Sequence, residues 1–443
     1  MNTLQLITGS AGTGKTTRLI DDAVDWASRS PLDERQSLLF LSRMHGSRRR
    51  LVQRLSSLSL DCRYEVSTID ALASSIVNRW RQSKGRDKPV IPCGGAGGFV
   101  YSTFGIQATY DEIMGEATEF LSSDTVCDCV KQAYPLMVID EFQDCVGNQL
   151  EFVKALHKQV PMFVAGDSFQ SLDGQELAIQ WVDTIENGES VVVVDLTTEH
   201  RFSSSDITSA AAALRSNVAL AQTSPIVSIK PTFAFAVYET MFERNIALLA
   251  PRGQSLVTFL KNLSEQRVKR NLPKQSWHNI PSEKSLKSAI VAGLKSKRRR
   301  PPADPALGYL ESLVLNRVKW EATVRRMSRS DADLIEHCAS SVIHQTRAFA
   351  PVSTQRLAMT IHTAKNQEFG SVHIVWHIKG LPENKYTAEY KRRLLYNAIT
   401  RAKSTVKLII IGTMSEALND PALELLVALR NNNWKCRRSV SGQ

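Results

Sequence analysis

The chain has 443 residues, enough for about two to four domains of ordinary size. Hydrophobic residues make up 43% and charged residues 22% of the chain, a composition that is typical of globular proteins and argues against disorder. The 55 Lys and Arg outnumber the 44 Asp and Glu, and the formal net charge of +11 favours polyanionic partners, nucleic acid before acidic membranes.

The cysteine pattern and the apolar runs indicate the cellular compartment in which we expect the protein. The seven cysteines form no CxxC pair, and Cys127 and Cys129 have no second ligand pair nearby, so we expect reduced thiols rather than disulfides or zinc. No apolar run reaches the roughly 18 residues of a membrane-spanning helix. The N-terminal segment lacks the pattern of a secretory signal. These features predict a cytoplasmic protein that does not act with a membrane.

Short apolar runs predict two α/β regions. In the first half they alternate with helix-like segments, as in a parallel sheet covered by helices on both faces. The strands predicted there are residues 4–7, 37–41, 136–139, 162–165 and 191–194. The strands predicted later in the chain are residues 245–250, 372–376 and 406–411. We therefore predict one domain over residues 1–200 and a second over residues 201–443.

Two segments interrupt this pattern. Residues 76–134 include a glycine-rich loop at 93–98, and residues 255–352 are polar and helix-like. We interpret each segment as a short, mainly helical insertion into its domain. The second insertion contains the basic run 295–300, for which three interpretations stay open: a mobile loop, a nucleic-acid contact or a partner-binding linker.

The strongest motif lies near the N-terminus. Residues 9–16 read GSAGTGKT, which matches the phosphate-loop pattern GxxxxGK[ST] between a predicted strand and a predicted helix. Its backbone N–H groups and the helix N-terminus suit a nucleotide's phosphates, with Lys15 reaching the β- and γ-phosphates and Thr16 binding Mg²⁺. The residues predicted to contact the nucleotide here are Gly9, Ala11, Gly12, Thr13, Gly14, Lys15, Thr16 and Thr17.

Two carboxylates follow the predicted strand at 136–139. Ligands of parallel α/β sheets bind at the carboxyl ends of the strands, so Asp140 and Glu141 should lie beside the phosphate loop. Asp140 is predicted to hold Mg²⁺, and Glu141 is predicted to polarise the attacking water. The alternative for such a pair is a solvated acidic turn.

A series of motifs over most of the chain resembles the UvrD/Rep type of superfamily 1 helicase. In chain order the motifs read GSAGTGKTT, SRMHGSRRRLVQRL, VSTIDALA, VIDEFQD, GDSFQ, TTEHRFS, MTIHTAKNQEFGSVHIV and RLLYNAITRAK. The resemblance implies two RecA-like P-loop NTPase domains with parallel sheets, in a compact form with short insertions.

The resemblance also implies roles for residues outside the loop. Gln170 would sense the γ-phosphate, and Arg201 and Arg401 would stabilise charge in the transition state. Glu368 would bind the ribose hydroxyl, and His200 stands where the family has an aromatic residue that stacks on adenine.

Nucleic-acid contacts are implied for four residues whose motifs face the strand in this family. They are Thr68, Asp70, Thr360 and His362. For the basic triplet at residues 48–50, contact with phosphates and a solvated helix face are equally open.

The function implied by the resemblance is an ATP-dependent DNA helicase or translocase. It would use ATP and Mg²⁺ at the interface of its two domains and move 3′ to 5′ on single-stranded or tailed duplex DNA. Two alternatives stay open. One is a nucleic-acid-sensing switch subunit that gates a protein partner, for example a nuclease in an antiphage system, without processive unwinding. The other is a superfamily 1 RNA helicase.

Overall fold

A computed structural model describes residues 2–43, 45–58, 60, 62–92, 98–101, 105–172, 177–185, 190–243, 245–273, 278–279, 356–365, 367–382 and 384–428. The chain divides into two compact units. Of the described residues, the first unit holds those up to Arg201 together with His278 and Asn279, and the second holds those from Phe202 to residue 273 and from residue 356 onward. Residues 280–355, which hold most of the predicted second insertion and its basic run, lie outside the described residues.

The first unit alternates strands with helices. Its described strands are β1 (Leu4–Gly9), β2 (Leu38–Ser42), β3 (Tyr64–Thr68), β4 (Val90–Pro92), β5 (Val100–Tyr101), β6 (Ile106–Ala108), β7 (Met137–Asp140), β8 (Met162–Ala165) and β9 (Val191–Leu196). Its described α-helices are α1 (Lys15–Arg29), α2 (His45–Ser56), α3 (Ile69–Trp80), α4 (Tyr110–Phe120), α5 (Asp124–Ala133), α6 (Asn148–His157) and α7 (Leu177–Ile185). Short 3₁₀ helices span Arg81–Lys84, Phe142–Asp144 and Ser168–Gln170.

One parallel sheet organises this unit. Its order is β3-β2-β7-β8-β1-β9, and each neighbouring pair is parallel. In β2, Leu39 and Leu41 pack in a core with residues of α3, α4 and α6, whereas Leu38 and Phe40 pack in a second core with residues of α1. Since alternate residues of a strand point to opposite faces, both faces are covered, and the predicted α/β architecture is confirmed.

Strand β9 departs from this pattern. The run of valines at 191–194 reads as a buried strand, yet Val192 and Val193 are 45% and 54% exposed. The reason is position, because β9 lies at the end of the sheet order next to β1.

The first insertion contains more than helices. Besides α4 and α5 it holds a small sheet of three short strands. The order of this sheet is β4-β6-β5, with β4 parallel and β5 antiparallel to β6. Asn78, at the end of α3, ties this sheet to the first domain through hydrogen bonds to both the N–H and the carbonyl of Val90.

The second unit repeats the α/β pattern. The second six-stranded sheet contains the described strands β10 (Val227–Lys230), β11 (Ile246–Ala250), β12 (His278–Asn279), β13 (Leu357–Thr360), β14 (Phe369–His377) and β15 (Ala402–Ile411). The described α-helices of the second unit are α8 (Ser205–Ser216), α9 (Phe233–Ala236), α10 (Gly253–Lys269), α11 (Ile361–Ala364), α12 (Ala388–Ile399) and α13 (Met414–Asn419), and 3₁₀ helices span Val237–Glu239 and Ile378–Gly380. Within the described ranges, no helix combines the length and apolar character needed to cross a bilayer.

The sheet of the second unit is also parallel. Its order is β10-β15-β14-β11-β13-β12, with parallel pairing from β10 to β13. All five residues of β11 are buried, as expected for a central strand with both faces covered. Helices α9 and α10 cover one face through a core that includes Phe259, Leu248 and Val375.

Candidate active site

The phosphate loop follows β1, as predicted. Gly9, Gly12 and Gly14 have φ values of 149°, 88° and 84°, which residues other than glycine rarely adopt. Gly14 is the N-cap of α1 and has no side chain with which to cap the first turn. The first N–H groups of α1 therefore face the loop, an arrangement that suits a phosphate group.

The other small residues of the loop shape it. Ala11 is buried, and the hydroxyl of Thr13 donates to the carbonyl of Ser10 at 3.0 Å. The hydroxyl of Thr17 accepts a hydrogen bond from Arg54 of α2.

Lys15 lies inside the loop. Its Nζ donates to the carbonyls of Gly9 at 2.9 Å and Ser10 at 2.8 Å. Burial lowers the pKa of Lys15, and the nearby carboxylates of Asp167 and Glu141 act in the opposite direction. The acidic residues thus help to keep a charged ammonium where phosphate oxygens would bind.

Thr16 and Asp140 come together, although they are 124 positions apart. The Thr16 hydroxyl is 3.2 Å from Oδ1 and 3.1 Å from Oδ2 of Asp140. A hydroxyl and a carboxylate fit Mg²⁺, which takes oxygen ligands and completes its shell with water and phosphate oxygens. Among the described residues no group of three or more His, Cys, Asp or Glu could hold a metal by itself. The donor set therefore fits an ion shared with a nucleotide.

Glu141 follows in an unusual backbone conformation. Its φ of 58° and ψ of 42° are left-handed, which is uncommon for a residue with a side chain and is concentrated at functional sites. Its Oε2 accepts a hydrogen bond from Nε2 of Gln143 at 2.7 Å. The carboxylate is thus held by a neighbouring side chain from the same turn.

Asp167 and Gln170 complete this edge of the sheet. Asp167 follows the end of β8, and its backbone N–H donates to Oε1 of Gln143 at 3.0 Å. Gln170 is buried and donates from Nε2 to Oδ2 of Asp167 at 2.9 Å. The residue predicted to sense the γ-phosphate is therefore linked, through Asp167 and Gln143, to the predicted catalytic Glu141.

The segment after β9 returns to the phosphate loop. The backbone N–H of His200 donates to the carbonyl of Gly12 at 3.0 Å, and its side chain is exposed. Arg201 belongs to the first unit, and its charge contributes to lowering the pKa of Lys15. A Cβ on Gly12 would lie 2.5 Å from Oε1 of Glu199 and 2.8 Å from Cβ of Arg201.

The second unit brings Glu368 and Arg401 together. The N–H of Phe369 donates to the carbonyl of Arg401 at 2.9 Å, and Glu368 forms an ion pair with Lys403 at 3.2 Å. The guanidinium of Arg401 is buried and donates from Nε to the carbonyl of Asn397 at 3.0 Å. Both residues precede the first residues of parallel strands, β14 and β15, so they lie at the amino edge of this sheet.

The predicted nucleic-acid residues have local structural partners. The hydroxyl of Thr68 is buried and caps α3 by accepting from the N–H of Ala71 at 3.1 Å, and Thr360 caps α11 in the same way through Thr363 at 3.3 Å. Asp70 accepts from Gln149 at 2.7 Å.

His362 is exposed at the carboxyl edge of the second sheet. Of the basic triplet, Arg48 is exposed and donates from Nε to the carbonyl of Val66 at 3.0 Å. The side chains of residues 49 and 50 lie outside the described structure.

Three side chains of the site were not among the predicted residues: Gln143, Asp167 and Glu199. Asp167 had a signal, because it follows the buried strand β8 much as Asp140 ends β7. Gln143 and Glu199 lie inside the motifs VIDEFQD and TTEHRFS, but the motifs do not give their contacts with Asp167 and Gly12, which come from the ends of other strands in the sheet.

The phosphate loop at the end of β1, with acidic residues at the ends of β7 and β8, defines a P-loop NTPase of the RecA-like class. Two family models match the chain. The AAA domain model matches residues 1–175, and the model of the UvrD-like helicase C-terminal domain matches residues 357–409. Together the two matches support a UvrD/Rep-like superfamily 1 helicase. No curated protein matched the chain.

A UvrD-like helicase domain implies an ATP-hydrolysing enzyme, and it suggests nucleic-acid binding. The two matches also agree with the division of the structure. The first lies within the first unit, and the second runs from β13 into β15 of the second unit.

Proposed function

We propose that this protein is an ATP-dependent, 3′ to 5′ translocase or helicase that acts on single-stranded or tailed duplex DNA. The proposal rests on one observation. The Thr16 hydroxyl lies within hydrogen-bond distance of the Asp140 carboxylate, next to Glu141 and Lys15, at the carboxyl edge of one parallel sheet. Cleavage of a phosphoryl bond needs such a combination of positioning and charge stabilisation.

The residues of the loop have separate tasks in this proposal. Lys15 and the N–H groups of α1 bind the phosphates, and Thr16 and Asp140 hold Mg²⁺. Bound Mg²⁺ supplies charge neutralisation at the β- and γ-phosphates. Glu141, which Gln143 orients, accepts the proton of the attacking water.

Arginines are proposed to supply the remaining positive charge. Arg201 is close enough to the loop to affect the pKa of Lys15, which supports a role beside the phosphates. For Arg401 the support is the family resemblance together with its place in the matched C-terminal model. An arginine suits this task because its charge persists at any physiological pH and its planar group binds phosphate oxygens in pairs.

The choice of DNA as the polyanion rests on the motif resemblance, and the net charge of +11 supports a polyanionic partner in general. A protein partner such as a nuclease belongs to the alternative function, in which ATP hydrolysis controls that partner instead of driving unwinding.

One set of assays tests the proposal. ATP hydrolysis is measured without nucleic acid, with single-stranded DNA and with single-stranded RNA, and strand displacement is measured on duplexes with 3′ or 5′ tails. We expect stimulation by DNA and displacement only on 3′-tailed duplexes. Stimulation without displacement on either tail would favour the switch subunit, and preferential stimulation by RNA would favour the RNA helicase.

A matched pair of variants checks the chemistry. Glu141→Gln should abolish hydrolysis and retain nucleotide binding, whereas Glu151→Gln removes a carboxylate from the solvated surface of α6 and should behave like the wild type. Hydrolysis by Glu141→Gln at the wild-type rate would contradict the proposed site.

A further inference from the structure

Helix α7 packs against the turn that carries the proposed catalytic base. Phe142, which directly follows Glu141, is fully buried, and its ring meets that of Trp181 edge-on, with centroids 6.1 Å apart and planes at 60°. The Trp181 ring also contacts that of His157, at the end of α6, at 5.7 Å and 77°. Both geometries lie in the range that aromatic pairs prefer. The indole of Trp181 therefore joins the turn after β7 to two helices.

A second side chain of α7 reaches the neighbouring turn, which follows β8. A Cβ on Gly166 would lie 3.2 Å from Cδ1 of Ile179 and 3.0 Å from Oε1 of Gln143, so both side chains lie beside Gly166. The same Oε1 accepts from the N–H of Asp167. Ile179 therefore borders the hydrogen bond that connects the two turns. We call Ile179 and Trp181 the α7 support.

The backbone at Glu141 needs such support. Its left-handed φ of 58° is strained for a residue with a side chain, and strained conformations persist only where the surrounding structure holds them. The hydrogen bond between Gln143 and Glu141 lies inside the turn itself. The burial of Phe142 against Trp181 anchors the turn from outside, at the residue next to the base.

We propose that the α7 support orients the Glu141 carboxylate for hydrolysis. Trp181 and Ile179 are then positioning residues of the ATPase site, which act through Phe142 and Gln143. Proton transfer to a base depends steeply on geometry, and a displacement of about 1 Å can lower a rate roughly 100-fold. This inference rests on the proposed function, because it concerns the orientation of the same base.

Two matched pairs of variants test the inference in the full chain. Trp181→Leu removes the ring from the α7 support, and Trp80→Leu removes a half-buried indole that packs against the same core from α3. Ile179→Ala shortens the other side chain, and Ile185→Ala makes the same change at the end of α7. Trp181→Phe keeps an aromatic ring. Steady-state hydrolysis gives kcat and KM, titration with a nonhydrolysable ATP analogue gives the affinity, and thermal unfolding gives the stability.

We expect Trp181→Leu to lower kcat about 10-fold to 100-fold and Ile179→Ala to lower it several-fold. The affinity for the analogue should not change, because Lys15 and the phosphate loop are intact. Trp80→Leu and Ile185→Ala should lose stability as their counterparts do but keep the wild-type kcat. Trp181→Phe should recover most of the kcat that Trp181→Leu loses.

A double-mutant cycle tests whether Trp181 acts through the turn. Trp181→Leu together with Gln143→Leu should lower kcat by less than the product of the two single effects, because the second change meets a base that is already misplaced. Trp80→Leu should lower kcat no further than Gln143→Leu does alone. A combined effect of Trp181→Leu and Gln143→Leu equal to the product would show independent action and overturn the inference.

The outcomes separate the inference from the proposed function. Equal kcat in Trp181→Leu and Trp80→Leu would mean that the α7 support is only part of the core. A parallel loss of kcat and analogue affinity in Trp181→Leu would mean general disruption of the site and would also overturn the inference. If Trp181→Leu does not fold, the comparison of Ile179→Ala with Ile185→Ala decides by the same criteria, because both isoleucines are half-buried. If the wild type hydrolyses no ATP with or without DNA, the proposed function itself fails.

Discussion

The side-chain amide of Gln143 donates a hydrogen bond to the carboxylate of Glu141, with 2.7 Å between Nε2 and Oε2. The same amide accepts from the N–H of Asp167 through Oε1 at 3.0 Å, and the side chain is 1% exposed. Gln143 thus uses both ends of one amide to connect the proposed catalytic base with the segment that carries Gln170.

Gln143→Leu should lower kcat roughly 10-fold to 100-fold with little change in KM, because a misoriented base loses most of its contribution to the transition state. Gln143→Glu keeps the acceptor for Asp167 but places a second carboxylate against Glu141, so the acid limb of its kcat profile should move to higher pH. Steady-state ATPase assays across pH check both variants. Gln254→Leu, at an exposed position of α10, is the control, and an unchanged kcat in Gln143→Leu would contradict the orienting role.

Asp140→Asn should raise the Mg²⁺ concentration needed for half-maximal hydrolysis by about 10-fold or more, because an amide is a weaker ligand for a hard cation than a carboxylate. Thr16 remains as the other protein donor. Titration of Mg²⁺ at fixed ATP measures the effect. Asp183→Asn, on the exposed side of α7, should leave the titration unchanged, and identical curves for both variants would count against the assignment of Asp140.

Gly12→Ala should weaken nucleotide binding. Its φ of 88° costs a side chain about 1–2 kcal/mol, and the new Cβ would lie 2.5 Å from Glu199 Oε1 and 2.8 Å from Arg201 Cβ. Gly147→Ala shares the positive φ, 54°, but its Cβ would meet no atom within 4 Å. Calorimetric titration with a nonhydrolysable ATP analogue should show a loss for Gly12→Ala alone. Equal affinities in the two variants would mean that the crowding at Gly12 has no consequence.

Stability should fall as the pH drops below 6.5, and His373 should account for part of the fall. Burial lowers the pKa of His373 from 6.5 to about 4, with nearby Lys407 acting in the same direction and Glu239 opposing. Between these pH values the unfolded chain binds a proton that the folded chain does not, so the free energy of unfolding decreases by about 2 kcal/mol from pH 6.5 to pH 5. Urea unfolding at several pH values measures this slope.

His373→Gln removes the titrating group and should flatten that slope by the same amount. At pH 7 the substitution should lower the free energy of unfolding by the contribution of the contact between His373 Nδ1 and the Thr240 hydroxyl, which are 3.0 Å apart. An identical pH dependence in the wild type and the variant would rule out His373 as the source.

Asp420→Ala should destabilise the protein by about 3–5 kcal/mol, because it leaves the ammonium of Lys391 buried without its carboxylate. The pair is 3.0 Å apart, with side chains 2% and 1% exposed. Lys391→Met should cost less, since Asp420 keeps the N–H groups of Ala422 and Leu423 as partners. Urea unfolding of the two variants compares the losses. A larger loss in Lys391→Met would contradict this account of the pair.

The sequence by itself determined the class of the protein and the centre of its nucleotide site. The phosphate loop is a local pattern in which glycine positions set the backbone, and the apolar runs of β1, β7 and β8 are local as well. Among the strands that were not predicted, β3, β10 and β13 are short, and one residue of β3, two of β13 and none of β10 are buried, so their composition carries less of the apolar signal.

Only the tertiary structure decided which side chains meet. The order β7-β8-β1 carries Asp140 to Thr16 across 124 positions, and the adjacency of β7 and β8 places Gln143 against the N–H of Asp167. The contact between the Tyr390 hydroxyl and His362 Nε2 likewise needs α11 and α12 to lie side by side. The physical reason is that periodicity and spacing report the conformation of one segment, whereas hydrogen bonds and ring stacking between segments depend on strand order and helix packing.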